Sequence, residues 1–197
     1  MWQTPLAMVD VIDNEGYRTN VGIVLMRAGG QVFLGRRLGG RGWQFPQGGL
    51  RAGEQPEEAV YRELQEEVGL TSADVTLVGS TSDWLRYRLP PRYVRRHQQP
   101  LCIGQKQRWF LFQMARDDVR FDLTQTAEPE FDRWRWVDYW EPVRSVIYFK
   151  RDVYSHALDQ LAAFAFPGGA PPSRPSWWDE VTTSAKNATR GTVRKRS

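Results

Sequence analysis

Residues 48–70 read GGLRAGEQPEEAVYRELQEEVGL, and the second half of that stretch predicts an α-helix over Pro56–Val68. Proline is tolerated in a first helical turn, acidic residues follow it, and Gly69 supplies the stop. Within the helix Glu63, Glu66 and Glu67 stand at i, i+3 and i+4, so three carboxylates share one face. Val60, Leu64 and Val68 recur every fourth residue on the adjacent face, which is therefore the buried one. Like charges clustered beside an apolar stripe repel one another at a cost in stability. A hard divalent cation offsets that cost, because Mg²⁺ favours oxygen ligands and binds through a few carboxylates together with substrate phosphates. Three glutamates alone are more simply read as a solvated acidic face, so the residues around them decide.

Working outward, the signals alternate between strand and helix. Residues 21–26 (VGIVLM) and 31–34 (QVFL), joined across Arg27-Ala28-Gly29-Gly30, read as a hairpin. Residues 39–53 contain six glycines and read as a loop. Residues 75–78, 109–114 and the alternating 133–137 (RWRWV) read as strands. Val153, Ala157, Leu158, Leu161 and Phe164 recur at helical spacing, which predicts a closing helix over about residues 149–165. Strands mixed with a few helices make an α/β sandwich.

The 197 residues suffice for one domain with a sizeable core plus an appendage. The single Cys102 excludes a disulfide framework and a multi-cysteine zinc site, and fits a reducing compartment. No apolar run approaches the roughly 18 residues of a membrane span, and residues 1–10 lack the pattern of a signal peptide. A soluble, cytoplasmic protein with no membrane partner is expected. The net charge is +4, and residues 167–197 carry all of it: Arg174, Lys186, Arg190, Arg194, Lys195 and Arg196 against Asp179 and Glu180. The Pro- and Gly-rich run 167–175 breaks both helix and strand, so 167–197 is expected to be a disordered basic tail, with Trp177-Trp178 its one apolar feature.

The pattern around the helix is G-x5-E-x7-R-E-U-x-E-E-x-G-U, with U aliphatic, running through Gly48, Glu54, Arg62, Glu63, Leu64, Glu66, Glu67, Gly69 and Leu70. It resembles the Nudix box at every specified position. Nine such positions match by chance in roughly one chain of this length in ten million. The resemblance implies an α/β/α sandwich with a mixed central sheet and a carboxylate-bearing catalytic helix. It implies attack of water on a nucleoside diphosphate linked to another moiety, a reaction that needs mostly positioning and charge neutralisation. Glu63, Glu66 and Glu67 are then metal ligands, and the loop Gln47-Gly48-Gly49 brings backbone to a phosphate or offers the Gly48 carbonyl to a metal. The implied cofactor is Mg²⁺, with Mn²⁺ or another divalent ion as alternatives. Arg62 and Glu54 orient loop and helix.

Further stretches are similar to bacterial RNA 5′-pyrophosphohydrolases: Gly16-Tyr17-Arg18, Trp43-Gln44-Phe45-Pro46-Gln47, Cys102-Ile103-Gly104-Gln105-Lys106-Gln107, Pro129-Glu130-Phe131-Asp132 with Trp134-Arg135-Trp136-Val137, and Pro142-Val143 followed by Phe149-Lys150-Arg151-Asp152-Val153-Tyr154. Such enzymes convert triphosphorylated or diphosphorylated RNA ends to monophosphate, which promotes mRNA decay. By this resemblance Arg18, Arg37 and Lys150 reach the 5′ phosphates, Tyr87 and Phe149 hold a base, and Glu130 is a fourth carboxylate that joins the metal site or acts as base. The family domain is expected over 12–166, after an N-terminal extension 1–11 in which Met8 is an alternative initiator to Met1. The glycine-rich Gly39-Gly40-Arg41-Gly42 departs from the bulkier polar residues usual there.

Residue chemistry supports a nucleic-acid substrate independently. Residues 84–108 hold seven basic residues and no acidic one, and Arg86, Arg88, Arg95 and Arg96 are interleaved with aromatic residues as a candidate RNA-backbone patch. Guanidinium groups bind phosphate bidentately and aromatic faces stack on unpaired bases. A dinucleoside-polyphosphate hydrolase would use the same box. An inactive RNA-binding module would have no reason to keep the carboxylates. The RNA 5′ end is the expected partner and the chain is expected to be a monomer.

Overall fold

Strand β1 (Tyr17–Met26) organises the molecule. Its side chains alternate between two apolar clusters: Val21, Ile23 and Leu25 enter one, Val24 and Met26 the other, as the two-residue period of a strand buried on both faces requires. Strand β7 (Gly104–Met114) runs parallel to β1 from Tyr17↔Gly104 to Met26↔Gln113 and alternates likewise, with Trp109 and Leu111 on one face and Phe110 and Phe112 on the other. Gly22 pairs with Trp109, and a Cβ at Gly22 would lie 2.5 Å from the indole. Only glycine leaves room for that ring.

A computed structural model of the chain describes residues 11–40 and 42–191, and side chains as far as Ser184. Around β1 and β7 stand β2 (Val32–Arg37), β3 (Trp43–Gln44), β4 (Gln47–Gly49), β5 (Val75–Ser80), β6 (Leu85–Arg88) and β8 (Phe131–Val137). The sheet runs β3-β2-β1-β7-β5, with β4 added to β1, β6 to β7 and β8 to β2. Helix α1 (Pro56–Val68) covers one face through Ala59, Val60, Leu64 and Val68. The short α2 (Pro142–Ser145) and α3 (Arg151–Ala165) belong to the core on the other face. The expected α/β/α sandwich with a mixed sheet and a carboxylate-bearing helix is the fold. Helix α1 starts with the Gln55 N–H donating to Glu58 Oε2 at 2.9 Å and stops at Gly69, whose φ of 72° is left-handed.

Three features differ from the sequence reading. The glycine-rich 39–53 contains two short strands, because β4 pairs with β1 through Val21↔Gly48. Strand β6 lies within the segment 84–108, whose sequence shows a run of basic residues and no strand signal. The expected disordered tail instead contains helix α4 (Trp178–Gly191), and Trp178 is 5% exposed. The apolar pair Trp177-Trp178 finds partners that composition alone does not reveal: Trp178 packs edge-on to Trp140 at 5.0 Å. The N-terminal extension, apart from Val11, lies outside the described residues, as do the side chains of Lys186, Arg190, Arg194, Lys195 and Arg196. Among the described residues no helix is long and apolar enough to cross a membrane.

Candidate active site

Arg62 is the hub of the glycine loop and α1. Its Nε and Nη2 donate to Glu54 at 2.7 and 2.8 Å, Nη2 also to the Gly49 carbonyl at 2.9 Å, and Nη1 to Glu63 at 2.6 Å and Glu66 at 3.1 Å. Glu54 and its other neighbour Glu63 hold this guanidinium protonated, and in return Arg62, above all by hydrogen bonding, lowers the Glu54 pKa. The expected orienting role of Glu54 and Arg62 has this geometry behind it. The Glu63 carboxylate lies against Gly48 so closely that a Cβ there would sit 1.9 Å from it. The box glycine is thus a space requirement of the box glutamate.

Glu67 points inward, where its Oε2 accepts the Gln47 backbone N–H at 2.9 Å. Burial first, then the charges of Glu63 and Glu130, push its pKa well up. Burial also raises that of Glu63, against the pull of Arg62. Glu130 arrives from the chain just before β8, held by Gln44 Nε2 at 3.1 Å. The β2–β8 register shifts between Arg36 and Arg37. The bulge separates two adjacent arginines: Arg36 makes a two-point bond to Asp132 at 2.7 and 2.8 Å, whereas Arg37 Nε lies 2.9 Å from Glu130 Oε1. That last contact is an ion pair by distance without the alignment of a hydrogen bond.

One cavity of about 360 Å³ gathers Glu63, Glu66, Glu67, Glu130, Gly48, Arg18, Arg37 and Lys150. The residues expected to hold metal and 5′ phosphates therefore meet in a single place. Lys150 is 7% exposed and donates to Gln47 Oε1 at 3.2 Å and Gln44 Oε1 at 3.4 Å. Burial, then the Arg37 charge, lowers its pKa to about 7. A second cavity of about 820 Å³ shares Arg18, Arg37 and Lys150 and is otherwise lined by Trp43, Tyr87, Arg92, Tyr93, Arg95 and Phe149, among others. Three cations, with Gln44 and Gln105, form the wall common to both.

The aromatic end differs in detail from expectation. Tyr87 is 6% exposed, its hydroxyl donates to Gln105 Oε1 at 2.6 Å and its ring centroid lies 5.9 Å from that of Phe149. Half-buried Phe149 and exposed Tyr93, with ring centroids 5.1 Å apart, offer more accessible surface. The four arginines of the candidate patch do not form one surface. Strand alternation sends Arg86 and Arg88 to the side of β6 opposite Tyr87, and Arg86 is tied to Glu15 at 2.8 Å and lies over the Tyr17 ring. Arg95 lines the larger cavity, and exposed Arg96 does not. Sequence reasoning did not single out the side chains of Gln44, Gln47 and Gln105 as lining residues. Amides carry neither charge nor apolar periodicity, and only the stretches quoted above contain them.

Among the described residues no three His, Cys, Asp or Glu side chains stand assembled as a metal cluster; Arg62 pairs with two of the glutamates. The donor set nevertheless suits a hard divalent cation. It is all oxygen, and burial first, then the repulsion of neighbouring carboxylates, raises the proton affinity of Glu63 and Glu67, a cost that a bound cation would offset.

The NUDIX domain family model matches residues 16–158, and the chain belongs to that family. It is 53% identical over 165 residues to an RNA pyrophosphohydrolase of Alkalilimnicola ehrlichii, covering 84% of this chain and 91% of the relative. It is 57% identical over 157 residues to an RNA pyrophosphohydrolase of Photobacterium profundum, covering 80% and 90%. Among solved structures, the E. coli dihydroneopterin triphosphate pyrophosphohydrolase superposes with a TM-score of 0.57 at 17% identity, over 70% of this chain and 92% of that one. That likeness bears on the fold.

Proposed function

We propose that this chain is an RNA 5′-pyrophosphohydrolase that converts 5′-triphosphorylated or diphosphorylated RNA to 5′-monophosphorylated RNA in the cytoplasm, and so promotes mRNA decay. The names of its relatives support this reading, and one observation carries it: the carboxylate cavity and the aromatic cavity share the cations Arg18, Arg37 and Lys150. A 5′-phosphate chain in the first cavity continues into a nucleotide in the second. Arg18, Arg37 and Lys150 bind the phosphates, and Phe149 with Tyr93 flanks a base, Tyr87 supporting Phe149 from behind. Gln44 and Gln47 orient Lys150, and Arg62 with Glu54 keeps the glycine loop in register with α1.

Glu63, Glu66, Glu67, Glu130 and the Gly48 carbonyl would hold the divalent metal, Mg²⁺ first and Mn²⁺ as an alternative. When bound, the metal supplies neutralisation of phosphate charge and a more acidic water. The protein is read as a monomer with the RNA 5′ end as partner. Incubation with a short 5′-triphosphorylated RNA and with diadenosine tetraphosphate, each with Mg²⁺, tests the assignment. A kcat/KM that favours RNA by at least about tenfold, or about 1.4 kcal/mol, is expected. The reverse preference indicates a dinucleoside-polyphosphate hydrolase, and turnover of neither indicates a binding module.

A further inference from the structure

Phe149 and Lys150 are presented by a 3₁₀ turn of only three residues, Tyr148–Lys150, between α2 and α3. Its own backbone bonds are few: the Lys150 N–H donates to the Ile147 carbonyl at 2.9 Å, and the Arg151 N–H to that of Tyr148. Such a turn does not hold its shape alone. Lys150 raises the demand, because a nearly buried ammonium whose hydrogen bonds go to two amide oxygens at 3.2 and 3.4 Å would move toward water if its backbone were free.

What lies behind the turn is the C-terminal segment. Helix α4 packs against the Tyr148–Lys150 turn, α2 and α3. Trp178 joins Trp140, Val143 and Val146 in one buried cluster, against which Ile147, Phe149, Trp177 and Val181 pack. The segment is anchored at several points. Trp140 Nε1 donates to the Pro172 carbonyl at 2.6 Å. Arg174 pairs with Asp159 at 2.7 Å and lies 4.9 Å from the Trp178 ring. Arg144 lies 5.2 Å from the Trp177 ring. None of the residues from Pro172 onward falls within the family-matched 16–158.

We propose that α4 is a brace, through which Trp178 acts as a positioning residue that holds Phe149 and Lys150 in the substrate cleft. The inference rests on the reading of those two side chains as substrate contacts. The carboxylate face of α1 stands apart from the brace, so loss of the brace weakens substrate binding more than turnover.

The test uses the full chain, a short 5′-triphosphorylated oligonucleotide and Mg²⁺, with circular dichroism to verify folding. Trp178→Ala is expected to raise KM about tenfold with kcat changed less than about threefold, the scale on which small misplacements act. Trp178→Phe should restore most of the loss. In a Phe149→Ala/Lys150→Ala background, Trp178→Ala should add little, because the brace acts through those two side chains. A wild-type KM in folded Trp178→Ala, or the same KM rise in the Phe149→Ala/Lys150→Ala background, overturns the brace and leaves α4 a cover for the core. If Trp178→Ala does not fold, Arg174→Ala, which loosens the exposed anchor, enters the same cycle with the same criteria. A Phe149→Ala/Lys150→Ala variant with wild-type KM overturns the substrate-contact reading itself, and the brace with it.

Discussion

The Gly48→Ala substitution separates the geometry of the catalytic loop from its stability. Gly48 is absent from the glycines with positive φ, so its backbone accepts an L residue and the effect of a methyl group is one of space. The added Cβ would lie 1.9 Å from Glu63 Cδ and Oε1 and 2.2 Å from Oε2. Comfortable contact begins near 3.5 Å, so the carboxylate must retreat by about 1.5 Å. Retreat strains its 2.6 Å bond to Arg62 Nη1, and Arg62 also holds Glu54 and the Gly49 carbonyl. Because the colliding group is the flexible end of a side chain, the stability cost should fall near the low end of overpacking, about 1 kcal/mol. That lowers Tm by about 2–4 °C in a chain of this size. Activity should suffer far more, since a misplacement of about 1 Å at a reacting centre costs on the order of 100-fold. Thermal melts and single-turnover hydrolysis of triphosphorylated RNA measure the two effects. Gly53→Ala is the control: its φ is +80° and no atom lies within 4 Å of the added Cβ, so it should lower Tm by strain and leave kcat nearly unchanged. A Gly48→Ala enzyme with kcat within about twofold of wild type would show that the Glu63 position is not needed for the chemistry, and the loop-to-helix argument would fail.

Three further outcomes follow from the same geometry. Glu67→Gln should reduce turnover by roughly 10²–10³-fold yet raise the metal-free Tm. The raised Glu67 pKa means that its stabilising contribution belongs to the protonated form and is lost as pH rises through the folded value, so the variant's Tm advantage should grow with pH; near-wild-type turnover in Mg²⁺ removes this helix as the metal site. With its pKa lowered to about 7, Lys150 loses its charge in the free enzyme as pH rises, so kcat/KM for RNA should fall on the alkaline side. Lys150→Arg, always charged, should flatten that limb, and an unchanged pH profile excludes Lys150 as its source. Arg95→Ala should raise KM for RNA and reduce the slope of log affinity against log salt by about 1. Arg86→Ala, whose guanidinium is spent on Glu15 and Tyr17, should do much less; equal losses would restore the single-patch reading.

The two walls of the cleft differ in how far they could be read from the sequence, and the difference has a physical cause. The carboxylate wall is one helix, so caps, apolar stripe and metal-type spacing all lie within residues 48–70 and agree with one another. The cation wall is assembled from Arg18 on β1, Arg37 beside a bulge at the end of β2, and Lys150 at the start of α3. No local pattern announces that meeting; similarity to a family did, and the parallel β1–β7 pairing and the β2–β8 register are what accomplish it. Charge counting failed where strand alternation matters, joining Arg86 and Arg88 to Arg95 although they face the other side. Composition failed beyond residue 175, because the partner of Trp178 is Trp140, distant in sequence. A wall built by tertiary packing is sensitive to contacts far from the substrate. Disturbance of α1 and its glycine loop should therefore appear mainly in kcat, and disturbance of the packing behind the Tyr148–Lys150 turn mainly in KM.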